Sequence, residues 1–207
     1  MSTAVKICGI TRFEDALAAA HAGAHAVGMV FDPNSPRLVS MRTARAIVDA
    51  LPAFVTPVAL LVNPTDAEVE SVIANVRPQI LQFHGDESPE FCGAFRVPYV
   101  KAVRVRPGVD LLQYARLYAA AKGLLLDAFV EGSRGGTGAS FDWKLIPRDL
   151  PLPLILAGGL TPQNVTEAVR RVRPWAVDVS SGVESARGIK DAAKIAAFIR
   201  GAKDADV

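Results

Sequence analysis

The chain has 207 residues, half of them hydrophobic, with 23 basic against 21 acidic side chains and a net charge of +2. That length and apolar content suit one folded domain over 1–207 with a large buried core, and exclude a disordered chain. The near-neutral balance favours neither nucleic acid nor an anionic membrane as partner, no apolar stretch approaches the ~20 residues that span a bilayer, and two cysteines are too few for a disulfide framework.

From the N-terminus, Lys6 interrupts the first apolar run, unlike a signal peptide, so a cytoplasmic protein is expected. Short apolar runs then alternate with segments of helical period. The run Val5–Cys8 is followed by the stripe Phe13, Ala16, Leu17 and Ala20, and Ala26–Phe31 by Ala44, Ile47, Val48 and Leu51. Val58–Val62 leads to Val69, Val72, Ile73 and Val76, with Thr65 and Glu68 spaced as a capping box. Ile80–His84 precedes a segment around Phe91–Phe95 that is helical only by elimination. Tyr99–Val105 leads to Leu111, Tyr114, Ala115 and Tyr118. After Leu124–Phe129, the stretch Trp143–Ile146 is again helical by elimination. Leu154–Ala157 precedes Val165, Ala168, Val169 and Val172, where Thr161-Pro162 reads as an N-cap with proline at the first helical position. Ala176–Val179 and the stripe Ile195, Phe198, Ile199 and Ala202 complete the series.

Nearly continuous apolar strands are those of a parallel sheet covered on both faces, and each stripe can cover one. Eight such units could form an open doubly wound sheet, but the first strand runs into Cys8-Gly9-Ile10-Thr11 without a G-x-G-x-x-G fingerprint. The expected fold is a closed (β/α)8 barrel of TIM type with eight parallel strands, which leaves no sheet edge.

Catalytic groups in such barrels lie at the C-terminal ends of the strands. Cys8 closes the first strand, sharing parity with Lys6; the plain alternative is a small buried hydrophobe, the commonest state of a free cysteine. Asp127 closes the run Leu124-Leu125-Leu126, where a carboxylate is costly to bury unless paired or used, or else caps the adjoining loop. The following loop, 130–140, holds Gly132, Gly135, Gly136 and Gly138 and suits a lid. Gly158-Gly159 after the seventh strand and Ser180-Ser181-Gly182 after the eighth occupy the usual phosphate-binding positions, beside the N-terminus of a helix. Arg37, in Ser35-Pro36-Arg37, could hold a carboxylate or stand solvated on the surface. Gln82 and His84 share one face of the fourth strand, and His84 could contact ligand or brace a loop. His21 and His25 read as surface residues. Lys6 and Asp178 fall on strands that become neighbours when the barrel closes, and are expected to pair inside it. No metal-ligand spacing is present, so no metal is expected, and there is no P-loop or G-x-S-x-G elbow.

Taken in order, Lys6-Ile7-Cys8-Gly9-Ile10-Thr11, Ser35-Pro36-Arg37, Leu81-Gln82-Phe83-His84-Gly85-Asp86-Glu87, Asp127, Gly135-Gly136-Thr137-Gly138, Leu156-Ala157-Gly158-Gly159-Leu160 and Asp178-Val179-Ser180-Ser181-Gly182-Val183-Glu184 form a pattern over essentially the whole chain. It closely resembles the N-(5′-phosphoribosyl)anthranilate isomerases of tryptophan biosynthesis. The resemblance implies a cofactor-independent Amadori rearrangement of a phosphorylated aminoaldose, with Cys8 as general base and Asp127 as general acid. It implies that Arg37 holds the anthranilate carboxylate and that the loops at Gly158–Gly159 and Ser180–Gly182 hold the phosphate. A monomer or homodimer is expected, and the sequence does not choose between them. Three rivals stand beside it. A histidine-pathway isomerase of the same barrel type is similar to a family with two aspartates, and Cys8 replaces the first of them. A silent phosphate-binding barrel should have lost Cys8 or Asp127. A redox pair would need Cys92, near the start of the fourth helix, to reach Cys8.

Overall fold

The computed structural model describes residues 2–128, 142–147 and 149–205. Eight parallel strands close on themselves in chain order: β1 (Ala4–Ile7), β2 (Ala26–Val30), β3 (Thr56–Leu61), β4 (Ile80–Phe83), β5 (Tyr99–Val105), β6 (Leu124–Ala128), β7 (Leu154–Leu156) and β8 (Ala176–Val179). The expected strands are all present, with ends displaced by a residue or two. Cys8, Phe31, Val62, His84 and Ala157 lie just past the regular ladder rather than within it.

Side-chain alternation divides the barrel into two shells. Outward residues such as Val5, Ile7, Val27, Met29, Leu81, Phe83, Leu124, Leu126 and Val177 join the main core against the helices. Inward residues form two smaller clusters, one around Val100, Ala102, Leu125 and Ala157 and one around Cys8, Val30 and Leu60. At the N-terminal end the interior is apolar and incompletely filled, with a cavity of about 230 Å3 bordered by Val58, Ile80, Val100 and Leu125.

The surrounding helices are α1 (Phe13–Ala22), α2 (Met41–Ala50), α3 (Asp66–Val76), α4 (Pro89–Gly93), α5 (Leu111–Leu117), α6 (Val165–Val172) and α7 (Ala192–Asp204). The capping box at Thr65 and Glu68 is formed in both directions at the start of α3. Helix α4 is only five residues long. It is held by edge-on contacts of Phe91 with Phe83 and Phe95, and of Phe83 with Tyr99, so tertiary packing replaces a periodic stripe.

Three expectations need correction. The stretch near Trp143 is a single 3-10 turn, Trp143–Leu145, because its few apolar residues supply no second turn of stripe. Thr161 does not cap a helix. It opens a turn whose amide is held by Asn164 Oδ1 (2.8 Å), and α6 begins four residues later behind Asn164. A hairpin, β9 (Glu184–Ala186) and β10 (Ile189–Lys190), follows β8 where no extra strand was foreseen. The expected lid at 130–140, with Phe129 ahead of it, lies outside the described residues.

Candidate active site

The first cluster grows from β1. Parallel register sets Lys6 beside Asp178 of β8, and Lys6 Nζ donates to Asp178 Oδ1 at 2.9 Å with both side chains buried. The expected pair is formed. Cys8, one turn of the pleat further on, faces inward beside Val30 and Leu60. On β2 the space opposite is kept open by Gly28: a β-carbon there would stand 2.9 Å from both Cys8 Sγ and Lys6 Nζ. Burial pushes the Cys8 thiol above its ordinary value, and the neighbouring Lys6 ammonium opposes that shift. Burial also works against charge on Lys6, but Asp178 and Cys8 more than offset it, so Lys6 titrates above its ordinary range.

The second cluster joins the loop after β2 to the hairpin after β8. Arg37 is buried and forks onto Glu184, with Nε to Oε1 at 2.7 Å and Nη2 to Oε2 at 2.9 Å. Hydrogen bonding to Glu184 holds the guanidinium above its ordinary pKa. Lys190 reaches the same carboxylate from β10, donating to Glu184 Oε1 (2.9 Å), Ser180 O (3.1 Å) and Ser180 Oγ (3.3 Å). Burial pushes Lys190 below its ordinary pKa despite Glu184. Burial would raise Glu184, but the hydrogen bond from Arg37 and the charge of Lys190 bring it below the usual carboxylate range. Two cations sharing one carboxylate leave positive charge beside Cys8, where an anion would be favoured. The chain passes at Gly9 with φ +71°, and a β-carbon there would lie 2.5 Å from Arg37 Cδ and 2.8 Å from Ser180 Oγ. Asp15 of α1 anchors the hairpin by accepting from the Lys190 amide at 3.0 Å.

The third cluster spans β4 and β6. Gln82 Nε2 stands 3.1 Å from His84 Nδ1, and His84 Nε2 stands 3.2 Å from Asp127 Oδ2. With the Gln82 amide donating to Nδ1, the ring proton sits on Nε2 and holds the carboxylate oxygen. Arg104 Nη2 donates to the His84 carbonyl at 3.3 Å. Asp127 is buried on β6, across the barrel mouth from Cys8 on β1.

The glycine-rich loops meet at the same rim. Gly158 and Gly159 have φ of +80° and +66°, and Asn164 Nδ2 donates to Gly159 O at 2.9 Å. Ser181–Val183 forms a 3-10 turn after β8. A β-carbon on Gly182 would fall 2.0 Å from Leu160 O, so only glycine lets the two loops touch. Among the described residues, no group of three or more His, Cys, Asp and Glu side chains is placed to hold a metal ion.

Comparison with known proteins gives this geometry a family. Residues 5–201 match the family model described as N-(5′-phosphoribosyl)anthranilate (PRA) isomerase. The chain belongs to that family. It is 63% identical to the N-(5′-phosphoribosyl)anthranilate isomerase of Nitrosospira multiformis over 201 residues, 97% of each chain. Identity is 58% to the enzyme of the same name from Pseudomonas putida, again over 97% of each. The crystal structure of phosphoribosyl anthranilate isomerase from Thermotoga maritima superposes with a TM-score of 0.89 at 42% identity, covering 98% of this chain and 99% of that one. A phosphoribosyl anthranilate isomerase solved in complex with reduced 1-(o-carboxyphenylamino)-1-deoxyribulose 5-phosphate matches with a TM-score of 0.86 at 42% identity, covering 98% of this chain and 99% of that chain.

In this member of the isomerase family, Cys8, Arg37, Asp127, His84, Gly158, Gly159, Ser180, Ser181 and Gly182 all come to the C-terminal end of the barrel. Cys92 does not join them; it is buried in the main core in α4, away from Cys8. Arg37 is not a solvated surface residue but a buried one fixed by Glu184. His25, exposed as expected, has a local partner: its Nδ1 accepts from the Val5 amide at 3.1 Å. Residue-level reading missed Lys190 and the structural role of Glu184. Lys190 sits on a two-residue strand with no periodicity, and only its spacing six residues after Glu184 could have hinted at a pair.

Proposed function

We propose that Cys8 is the general base and Asp127 the general acid of this isomerase. The reaction converts N-(5′-phosphoribosyl)anthranilate to 1-(2-carboxyphenylamino)-1-deoxyribulose 5-phosphate, an aldose–ketose isomerisation in tryptophan biosynthesis. We place it in the cytoplasm; no helix among the described residues is long and apolar enough to cross a membrane.

Asp127 protonates the ribose ring oxygen, and the furanose opens to a Schiff base. The Cys8 thiolate then removes the C2′ proton to give an enolamine, which tautomerises to the ketone. His84, itself braced by Gln82, holds Oδ2 of Asp127 and so orients the acid. The backbone of Gly158–Gly159 and Ser181–Gly182, with the Ser180 and Ser181 hydroxyls, cradles the phosphate, and tethering there aligns C2′ with the sulfur. Arg37, immobilised by Glu184, offers its remaining N–H edge to the anthranilate carboxylate.

What supports this reading is one thiol just past β1 and one carboxyl on β6, both at the C-terminal end of the barrel where the two glycine loops also meet. Turnover of phosphoribosylanthranilate by Cys8→Ala and by Asp127→Ala is the test. Each variant should lose about 10²- to 10⁴-fold in kcat, the range for a positioned acid or base. Full activity in either folded variant would overturn the assignment.

A further inference from the structure

Lys6 is a buried cation that the reaction just described leaves without a task. We infer that Lys6 is a positioning residue for the general base: held charged by Asp178, it lies against Cys8 in the space left by Gly28 and steadies the thiolate during proton abstraction. The inference rests on the reading of Cys8 as the base.

Lys6 and Cys8 are two residues apart on one strand and therefore share the inward face. Register supplies a fixed partner on one side, Asp178 Oδ1 at 2.9 Å. On the other side stands Gly28, the neighbour that admits both groups. A β-carbon at that position would be 2.9 Å from Lys6 Nζ, 3.1 Å from its Cε and 2.9 Å from Cys8 Sγ. Ammonium and sulfur thus occupy one space that any side chain would invade. An ammonium carries three donors, and the bond to Asp178 Oδ1 leaves two for other acceptors in that space.

The surroundings make that capacity matter. Val30 and Leu60 pack on Cys8 and offer a thiolate nothing. The charged groups facing it are Lys6, Asp178, Lys190 and Arg37. Among these, Lys6 opposes the burial penalty most strongly, with Lys190 further down. Asp178 acts one step back. Without it, desolvation would drive a buried ammonium towards its neutral form, and Cys8 would lose its cation. When the C2′ proton passes to Sγ the thiolate becomes a thiol, while Lys6 keeps its own proton throughout.

Thiolate absorbance in the ultraviolet, taken as the difference between wild type and Cys8→Ser, isolates the titration of Cys8. In Lys6→Met that titration should move up by about one unit or more, the effect of removing a close opposite charge. The limb of the kcat–pH profile that follows Cys8 ionisation should move with it while KM for substrate stays put. The double variant Lys6→Met/Asp178→Asn removes both charges and avoids a stranded carboxylate. It should shift Cys8 in the same direction by less. A Cys8 titration unmoved in either folded variant overturns the proposal. Should both fail to fold, ¹⁵N-lysine spectra of wild type decide: the Lys6 Nζ signal should move as Cys8 ionises and hold still in Cys8→Ser, and a signal indifferent to Cys8 overturns the proposal. Full turnover by Cys8→Ala would sink the underlying base assignment instead, a different result from a titration that ignores Lys6.

Discussion

Each buried cysteine of this chain lies near a buried lysine–carboxylate pair, and the two neighbourhoods are built for different ends. Beside Cys92, Lys101 donates to Gly85 O (2.6 Å) and Glu87 Oε2 (2.7 Å) and sits over the Tyr118 ring. Glu87 also accepts from the amides of Asn63 (2.8 Å) and Gly85 (3.0 Å), while its carbonyl takes the Tyr118 hydroxyl at 2.7 Å. Two of the three donors of Lys101 are spent on pinning the loop behind His84. Burial therefore pushes Cys92 up to about 12, with Lys101 opposing only in part and Glu87 reinforcing. Beside Cys8, Lys6 holds Asp178 and the sulfur shares its remaining space. Burial alone silences a thiol. Both thiols are pushed up by burial; on the reading of Cys8 as the base, the difference is a lysine that shares one space with the sulfur rather than one tied to a loop.

That contrast can be broken in three places. Glu87→Ala strands a buried ammonium and two amides, and should cost about 3–5 kcal/mol in denaturant unfolding. A loss below about 1 kcal/mol would show that the Lys101 pair is not the structural one. Gly28→Ala forces a methyl between Lys6 and Cys8 and should cost about 1–3 kcal/mol in stability, as overpacking does. It should also lower kcat about tenfold or more by displacing the sulfur; wild-type kcat would mean the sulfur needs no such space. The smallest effect concerns pH. Cys92 ionises later in the folded chain than in the unfolded one, so its contribution is complete below the ordinary thiol value of 9.0 and drains as pH rises towards about 12. Cys92→Ala should therefore flatten the alkaline decline in unfolding free energy by about 1 kcal/mol near a pH of about 10. An unchanged slope would place Cys92 with the groups that do not feel burial.

The strands and most helices were legible because each rests on a repeating pattern of apolar residues that the chain itself carries. Failures fell where that pattern is short or absent. Helix α4 is fixed by an aromatic cluster drawn from two strands, and Thr161 yielded the cap to Asn164 because the loop first closes a turn of its own. Within the site, Cys8, Asp127 and the glycine loops could be placed from strand ends, and the Lys6–Asp178 pair from barrel closure. The fork of Arg37 onto Glu184 spans 147 residues, and the bond from the Lys190 amide to Asp15 spans 175. Separation is not the obstacle, since Lys6 and Asp178 lie 172 residues apart; these partners sit on a loop, a short hairpin and a helix, whose neighbours strand order does not fix.

By itself, the sequence determined the eight-unit barrel, the parity that turns Lys6 and Cys8 inward, and the family pattern. Those follow from periods of two and of nearly four, which are local properties of the chain. Only the tertiary structure decided which charges share a partner: that Arg37 and Lys190 converge on Glu184, that His84 braces Asp127, and that Gly28 leaves room for an ammonium beside a sulfur. Electrostatic coupling in a buried site depends on distance through space and on the solvent excluded there. Both are settled when the barrel closes.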